Sequence, residues 1–141
     1  AYDKYKSGFA SGFIKEASLE QVCRYANVIS FNVPLTSETH YMLNEELIGL
    51  MKQKPIILSA CRGKVINTAA LINGLKQEQI SGACLDVLEN EKLDTYTEAE
   101  KQQLNELLSF DNVIVTPHIA GYSHEAFLKM VTVTLQKLGL D

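Results

Sequence analysis

Four side chains in this 141-residue sequence are of types that could do chemistry together. They are Arg62 in SACRGKV, Asp86 and Glu91 in CLDVLENE, and His118 in VTPHIAG. A guanidinium presents a planar fork that suits a carboxylate bidentately. An imidazole gives or takes a proton near neutral pH. A carboxylate beside it orients the ring and stabilises its charged form. The chemistry this set suggests is proton transfer on a small organic acid. Each member also has an ordinary reading: Arg62 as a surface arginine paired with an acid, Asp86 as a turn acceptor, Glu91 as a solvated charge in ENEKLD, and His118 as a packed ring bonded to backbone. His40 and His124 lack a comparable setting and read as structural or exposed. The set has no carrier for a hydride or electrons, so a cofactor is expected.

Positioning these residues requires elements that end near one another. Ser18-Leu-Glu-Gln21 is a capping box opening a short helix through Tyr25. The run 27–33 is rich in β-formers and stops at Pro34. Asn44 caps a helix with Leu47, Leu50 and Met51 at helical spacing, and PIILSA (55–60) comes next as a strand. Thr68 is expected to cap a helix carrying Leu71, Ile72 and Leu75, before a strand over 82–87. Thr97-Glu-Ala-Glu100 is a second capping box, 112–116 is the last strand, and Ser123 caps a closing helix to about Leu138. Strands alternating with helices, and apolar on both faces, predict a parallel sheet covered by helices on both sides. With right-handed crossovers this is a doubly wound α/β sheet, whose ligands bind outside the carboxyl ends of the strands. Val33 and Pro34, Ala60 to Gly63, Asp86, and Pro117 to Gly121 stand at those ends.

Composition narrows the function classes. Hydrophobic residues make up 46% of the chain, enough for a packed core. Net charge is −4 with no basic cluster, which argues against a nucleic-acid partner. No apolar run approaches the ~18 residues of a membrane span. The three cysteines, Cys23, Cys61 and Cys84, are widely separated and lack zinc-ligand spacing. They are expected to be reduced thiols in a cytoplasmic protein, and no metal site is expected.

Three stretches, ACRGKVINTAAL, GACLDVLENE and NVIVTPHIAGYSHEA, resemble the NAD-dependent D-isomer-specific 2-hydroxyacid dehydrogenases, which include D-3-phosphoglycerate and D-lactate dehydrogenases. They occur in the family's order, and the resemblance runs over nearly the whole chain. It implies a Rossmann-like NAD-binding domain, NAD as cofactor, a small 2-hydroxy or 2-oxo acid as substrate, and a homodimer. It also implies roles. Arg62 would bind the substrate's carboxylate and carbonyl oxygen, His118 would be the acid/base at the C2 oxygen, and Glu91 would hydrogen-bond His118. Asp86 would lie near the nicotinamide, and Val33, Pro34, Ala60, Cys61, Ala120 and Gly121 would line the cofactor. Asp3 matches the acid that takes the adenosine ribose hydroxyls, which favours NAD over NADP.

The sequence departs from the family pattern in places. No G-x-G-x-x-G precedes Asp3, and Gly8 and Gly12 come after it at the wrong spacing. Lys92 stands where a proline is usual. Residues 1–141 are therefore expected to be the later part of an NAD-binding domain, lacking its first strand and glycine-rich loop, with the substrate domain absent from this chain. Two other readings are open: an NAD-responsive scaffold like the C-terminal-binding-protein corepressors, and an inactive fragment.

Overall fold

Strands and helices alternate along the computed structural model, which describes residues 1–140. Four parallel strands, β1 (Val28–Phe31), β2 (Ile56–Ser59), β3 (Gly82–Leu85) and β4 (Val113–Val115), form one sheet in the order β1-β2-β3-β4. The helices among the described residues are α1 (Leu19–Tyr25), α2 (Glu45–Gly49), α3 (Thr68–Lys76), α4 (Glu98–Leu108) and α5 (His124–Lys137), with short 3-10 turns at Gly63–Val65 and Leu93–Thr95. This is a Rossmann-like α/β sheet, as the alternation predicts.

The helix starts obey local side-chain chemistry. Both capping boxes form: Ser18 with Gln21, and Thr97 with Glu100, each pair satisfying two backbone N–H groups reciprocally. Asn44 caps α2 and Ser123 caps α5. The cap of α3 is Asn67, not Thr68: its side chain accepts the N–H of Ala70, and Thr68 is the first helical residue. Asn and Thr are both capping types, and the residue in extended backbone takes the role. The strands are shorter than the apolar runs that predict them, and α2 stops before Leu50 and Met51.

The core lies on one face of the sheet. In register, Ile29, Ile57, Ala83 and Val113 sit side by side, and Phe31, Ser59, Leu85 and Val115 form the next tier. Against them pack Cys23 of α1, Leu47 and Ile48 of α2, Leu71 and Leu75 of α3, and Leu107 of α4. The opposite face is open among the described residues: Val28, Ile56 and Ile114 are exposed. The expectation of cover on both sides is met on one side only. Right-handed crossovers that all step in the same direction put every connecting helix on the same face. The helix α5 buries none of its residues. Among the described residues no helix is long and apolar enough to cross a membrane.

The far edge of β1 carries no paired strand among the described residues. Beside it runs a trough of about 820 Å³, walled by residues 1–3 and by Ile29, Phe31 and Val33.

One-sided packing makes a sharp contrast between neighbouring residues of β2. Replacing the fully buried Ile57 by Ala is expected to cost ~2–5 kcal/mol of unfolding free energy. Ile56→Ala, on the open face, is expected to cost less than about 1 kcal/mol. Urea denaturation of both variants measures the difference, and equal losses would mean that the second face is covered too.

Candidate active site

The segments beyond the carboxyl ends of β2, β3 and β4 assemble the site. Because the strands are parallel and in register, Ala60, Asp86 and Thr116 leave one edge of the sheet, each directly after the last residue of its strand. The N–H of Asp86 continues the ladder to the carbonyl of Ser59 at 2.8 Å, and that of Thr116 to Leu85 at 2.9 Å.

Asp86 holds the segment after β4. Its Oδ1 accepts the Thr116 hydroxyl and the N–H of Ile119 at 2.9 Å, and its Oδ2 accepts the N–H of Ala120 at 2.8 Å. The side chain is buried. Burial pushes its pKa up, but the hydrogen bonds from Thr116, Ala120 and Ile119 and the nearby His118 outweigh it, so the carboxyl lies below its ordinary value. Between these donors sits His118, whose backbone is left-handed at φ 55°. Few residues other than glycine adopt that conformation, and histidine is among the more tolerant. The clamp holds the turn there.

That turn presents the imidazole to Glu91. His118 Nδ1 and Glu91 Oε2 are 3.0 Å apart, and both side chains are about half exposed. Glu91 reaches His118 from the loop after β3. Asn90 pins that loop, its Nδ2 donating to Thr95 Oγ1 and Glu100 Oε1, both at 3.2 Å. The pair borders a recess of about 460 Å³ lined by Leu93, Leu104, Leu108 and Val115.

Arg62 lies just past β2 and is exposed. It makes no ion pair among the described residues; its Nη1 donates to the Cys61 carbonyl at 2.7 Å. Gly63 beside it is required by space: a Cβ there would lie 1.8 Å from the carbonyl oxygen of Leu88. Cys61 Sγ is 3.4 Å from Ser59 Oγ, and all three cysteines are free. No metal-binding cluster occurs among the described residues.

The predicted residues thus fall into groups. Glu91 and His118 meet directly, and Asp86 touches the backbone beside His118. Ala60 and Cys61 precede Arg62 at the end of β2, and Val33 and Pro34 lie just past β1. Asp3 lies on the trough wall, where its Oδ1 accepts the N–H groups of Tyr5 at 2.8 Å and Lys6 at 3.0 Å. Both oxygens of Asp86 accept hydrogen bonds from the chain. Sequence reasoning also left Glu89 without a role, yet its carboxylate is held by Tyr41 and by the N–H of Thr68. Only its place in the Glu-x-Glu of CLDVLENE hinted at it.

The Asp86 clamp has a pH signature. Its folded pKa lies below the unfolded value of ~3.9, so its stabilisation is fully present above that pH and is lost as pH falls through the folded pKa. Asp86→Asn is expected to be less stable than the parent at neutral pH, with the gap closing below about pH 4. Denaturant melts across pH 2–7 test this; a gap independent of pH would show that the charge is not what holds the turn.

Known proteins share this fold over most of the chain. Residues 1–120 match the family model described as D-isomer specific 2-hydroxyacid dehydrogenase, NAD binding domain. An aromatic 2-oxoacid reductase of Clostridium sporogenes is 37% identical over 144 residues, covering 97% of this chain and 43% of that protein. A glyoxylate reductase of Pyrococcus furiosus is 43% identical over 120 residues, covering 85% of this chain and 33% of that protein. The crystal structure of a D-isomer specific 2-hydroxyacid dehydrogenase from Lactobacillus delbrueckii ssp. bulgaricus, in its NAD-complexed form, superposes with a TM-score of 0.83 at 28% identity, over 96% of this chain and 43% of that one. The chain therefore spans less than half the length of these relatives. A fold, a strand-end site and a family match that agree along the sequence lead to one conclusion: the chain belongs to the NAD-binding domain family of the D-isomer specific 2-hydroxyacid dehydrogenases.

Proposed function

We propose that the protein moves a hydride between NAD(H) and a 2-hydroxy acid or its 2-oxo counterpart, with Arg62, Glu91 and His118 acting on the acid. On this reading residues 1–141 are the later part of the nucleotide-binding domain. The observation that carries it is the 3.0 Å contact between His118 Nδ1 and Glu91 Oε2. A carboxylate at Nδ1 fixes the ring's orientation and leaves Nε2 for a reacting oxygen.

In the oxidising direction, His118 Nε2 takes the proton from the C2 hydroxyl as the C2 hydrogen departs with its electron pair. In reduction it returns a proton to the C2 oxygen. NAD, when bound, accepts or supplies that hydride at the nicotinamide ring. The Arg62 guanidinium has one N–H engaged by Cys61, which leaves the rest of its fork for the substrate's carboxylate.

The residues fit a dinucleotide at its two ends. Asp3 keeps Oδ2 without a partner among the described residues, which suits it to ribose hydroxyls. Val33 and Pro34, Ala60 and Cys61, and Ala120 and Gly121 would line the cofactor. Asp86 would act toward the nicotinamide through the turn it holds, because its oxygens are engaged by Thr116, Ile119 and Ala120.

For the complete protein of which these residues are the later part, saturable binding in an NADH fluorescence titration, and NADH oxidation with a panel of pyruvate, glyoxylate and phenylpyruvate, are the expected results. Binding without turnover on any 2-oxo acid would sink the oxidoreductase reading in favour of a scaffold. His118→Ala is expected to lower kcat by about 10²-fold or more. Arg62→Ala should raise KM for the acid and lower kcat together. Wild-type turnover in both variants would overturn the residue assignment.

A further inference from the structure

We propose that Glu89 is a positioning residue whose carboxylate fastens the loop carrying Arg62 to the loop carrying Glu91. What those loops do rests on the oxidoreductase reading above; the fastening itself rests on geometry alone.

The two oxygens of Glu89 have different partners. Oε1 accepts the N–H of Thr68 at 2.7 Å, and Oε2 accepts the Tyr41 phenol at 2.5 Å. Thr68 is the first residue of α3, so its N–H has no acceptor within the helix. Glu89 supplies that acceptor from another part of the chain. The hydrogen bond to Glu89, with burial and the carboxylate's charge, raises the Tyr41 pKa and keeps the phenol a donor.

Tyr41 in turn is laced to the Arg62 loop. Its N–H donates to the carbonyl of Lys64 at 2.8 Å, that of Leu43 to Val65 at 3.0 Å, and that of Asn67 to Leu43 at 2.9 Å. Tyr41 has left-handed backbone at φ 52°, which for a tyrosine needs such outside support. The same two loops also touch at Gly63, which is tight against Leu88. Residues 61–68 and 88–91 are therefore joined at two points, one steric and one a carboxylate. Two residues beyond Glu89, Glu91 reaches His118. The residue between them, Asn90, is tied toward α4. Loosening Glu89 would free the shared base of the Arg62 and Glu91 loops without touching substrate, cofactor or His118.

Amide hydrogen exchange on the protein tests this, comparing the parent with Glu89→Ala, Glu89→Gln and Tyr41→Phe. In Glu89→Ala, exchange at Val65, Ile66, Asn67 and Thr68 and at Lys92 is expected to rise together by more than tenfold, while Ile57 and Ala83 keep parent rates. Acceleration confined to Thr68 would reduce Glu89 to a helix cap and overturn the proposal. Tyr41→Phe removes one arm only and should show the same two-loop pattern more weakly, which decides the matter if Glu89→Ala does not fold. Glu89→Gln retains an acceptor for Thr68 and should restore most of the protection. In turnover assays of the complete protein with pyruvate, glyoxylate and phenylpyruvate, Glu89→Ala should raise KM for the acid and lower kcat, with a smaller change in KM for NADH. An active parent whose Glu89→Ala variant keeps all three constants would overturn the positioning role. A parent without turnover but with the expected exchange pattern would remove the oxidoreductase reading and leave the fastening intact.

Discussion

The buried carboxylate of Asp86 holds the turn that carries His118. Asp86 spans from the end of β3 to the turn beyond β4 and accepts hydrogen bonds from one hydroxyl and two backbone N–H groups. A charge taken out of water is costly unless it is paired or fully hydrogen-bonded. Here the donors are fixed by the fold, so the carboxylate and the turn stabilise each other. The left-handed backbone of His118 is tolerated in that setting and exposed to loss outside it. The ring's direction, and with it the contact to Glu91, depends on the way Asp86 holds the turn.

The sheet provides the second requirement, a common edge. The parallel register leaves Phe31, Ser59, Leu85 and Val115 in one tier. The loops after these strands therefore emerge side by side. Arg62 lies three residues beyond β2, Glu91 six beyond β3 and His118 three beyond β4. The loops then need fastening to one another, which falls to Gly63 against Leu88 and to Glu89. The core beneath contributes rigidity and no chemistry. Its members, from Cys23 to Leu107, are apolar on the helix-covered face.

Local features were legible in the sequence, and relations between distant loops were not. The two capping boxes read directly, because Ser or Thr with Gln or Glu three residues later has one physical use at a helix start. Asn67 and Thr68 could not be separated that way, since both types cap. The apolar strands pointed to cover on both faces, but apolar content says nothing about the direction in which successive crossovers step. The strand-end positions of Arg62, Glu91 and His118 were visible in the alternation of elements, and the resemblance added the contact between Glu91 and His118. The engagement of Asp86 with Thr116 and of Glu89 with Tyr41 was not, because residues 30 and 48 positions apart meet only through the fold.

The chain-order arrangement of the strands bears on how the domain forms. Each strand pairs with the one just before it in sequence: Val28 with Ile56, Ile56 with Gly82, and Ala83 with Val113. Every closure thus spans a similar, moderate loop, and no pairing must wait for a distant partner. The sheet can accrete from one side as the polypeptide lengthens, each β-α unit docking on a finished edge. Asp86 and Glu91 are in place before the last strand arrives, and His118 comes with it. The contact between Glu91 and His118 is therefore among the last to close along these four strands.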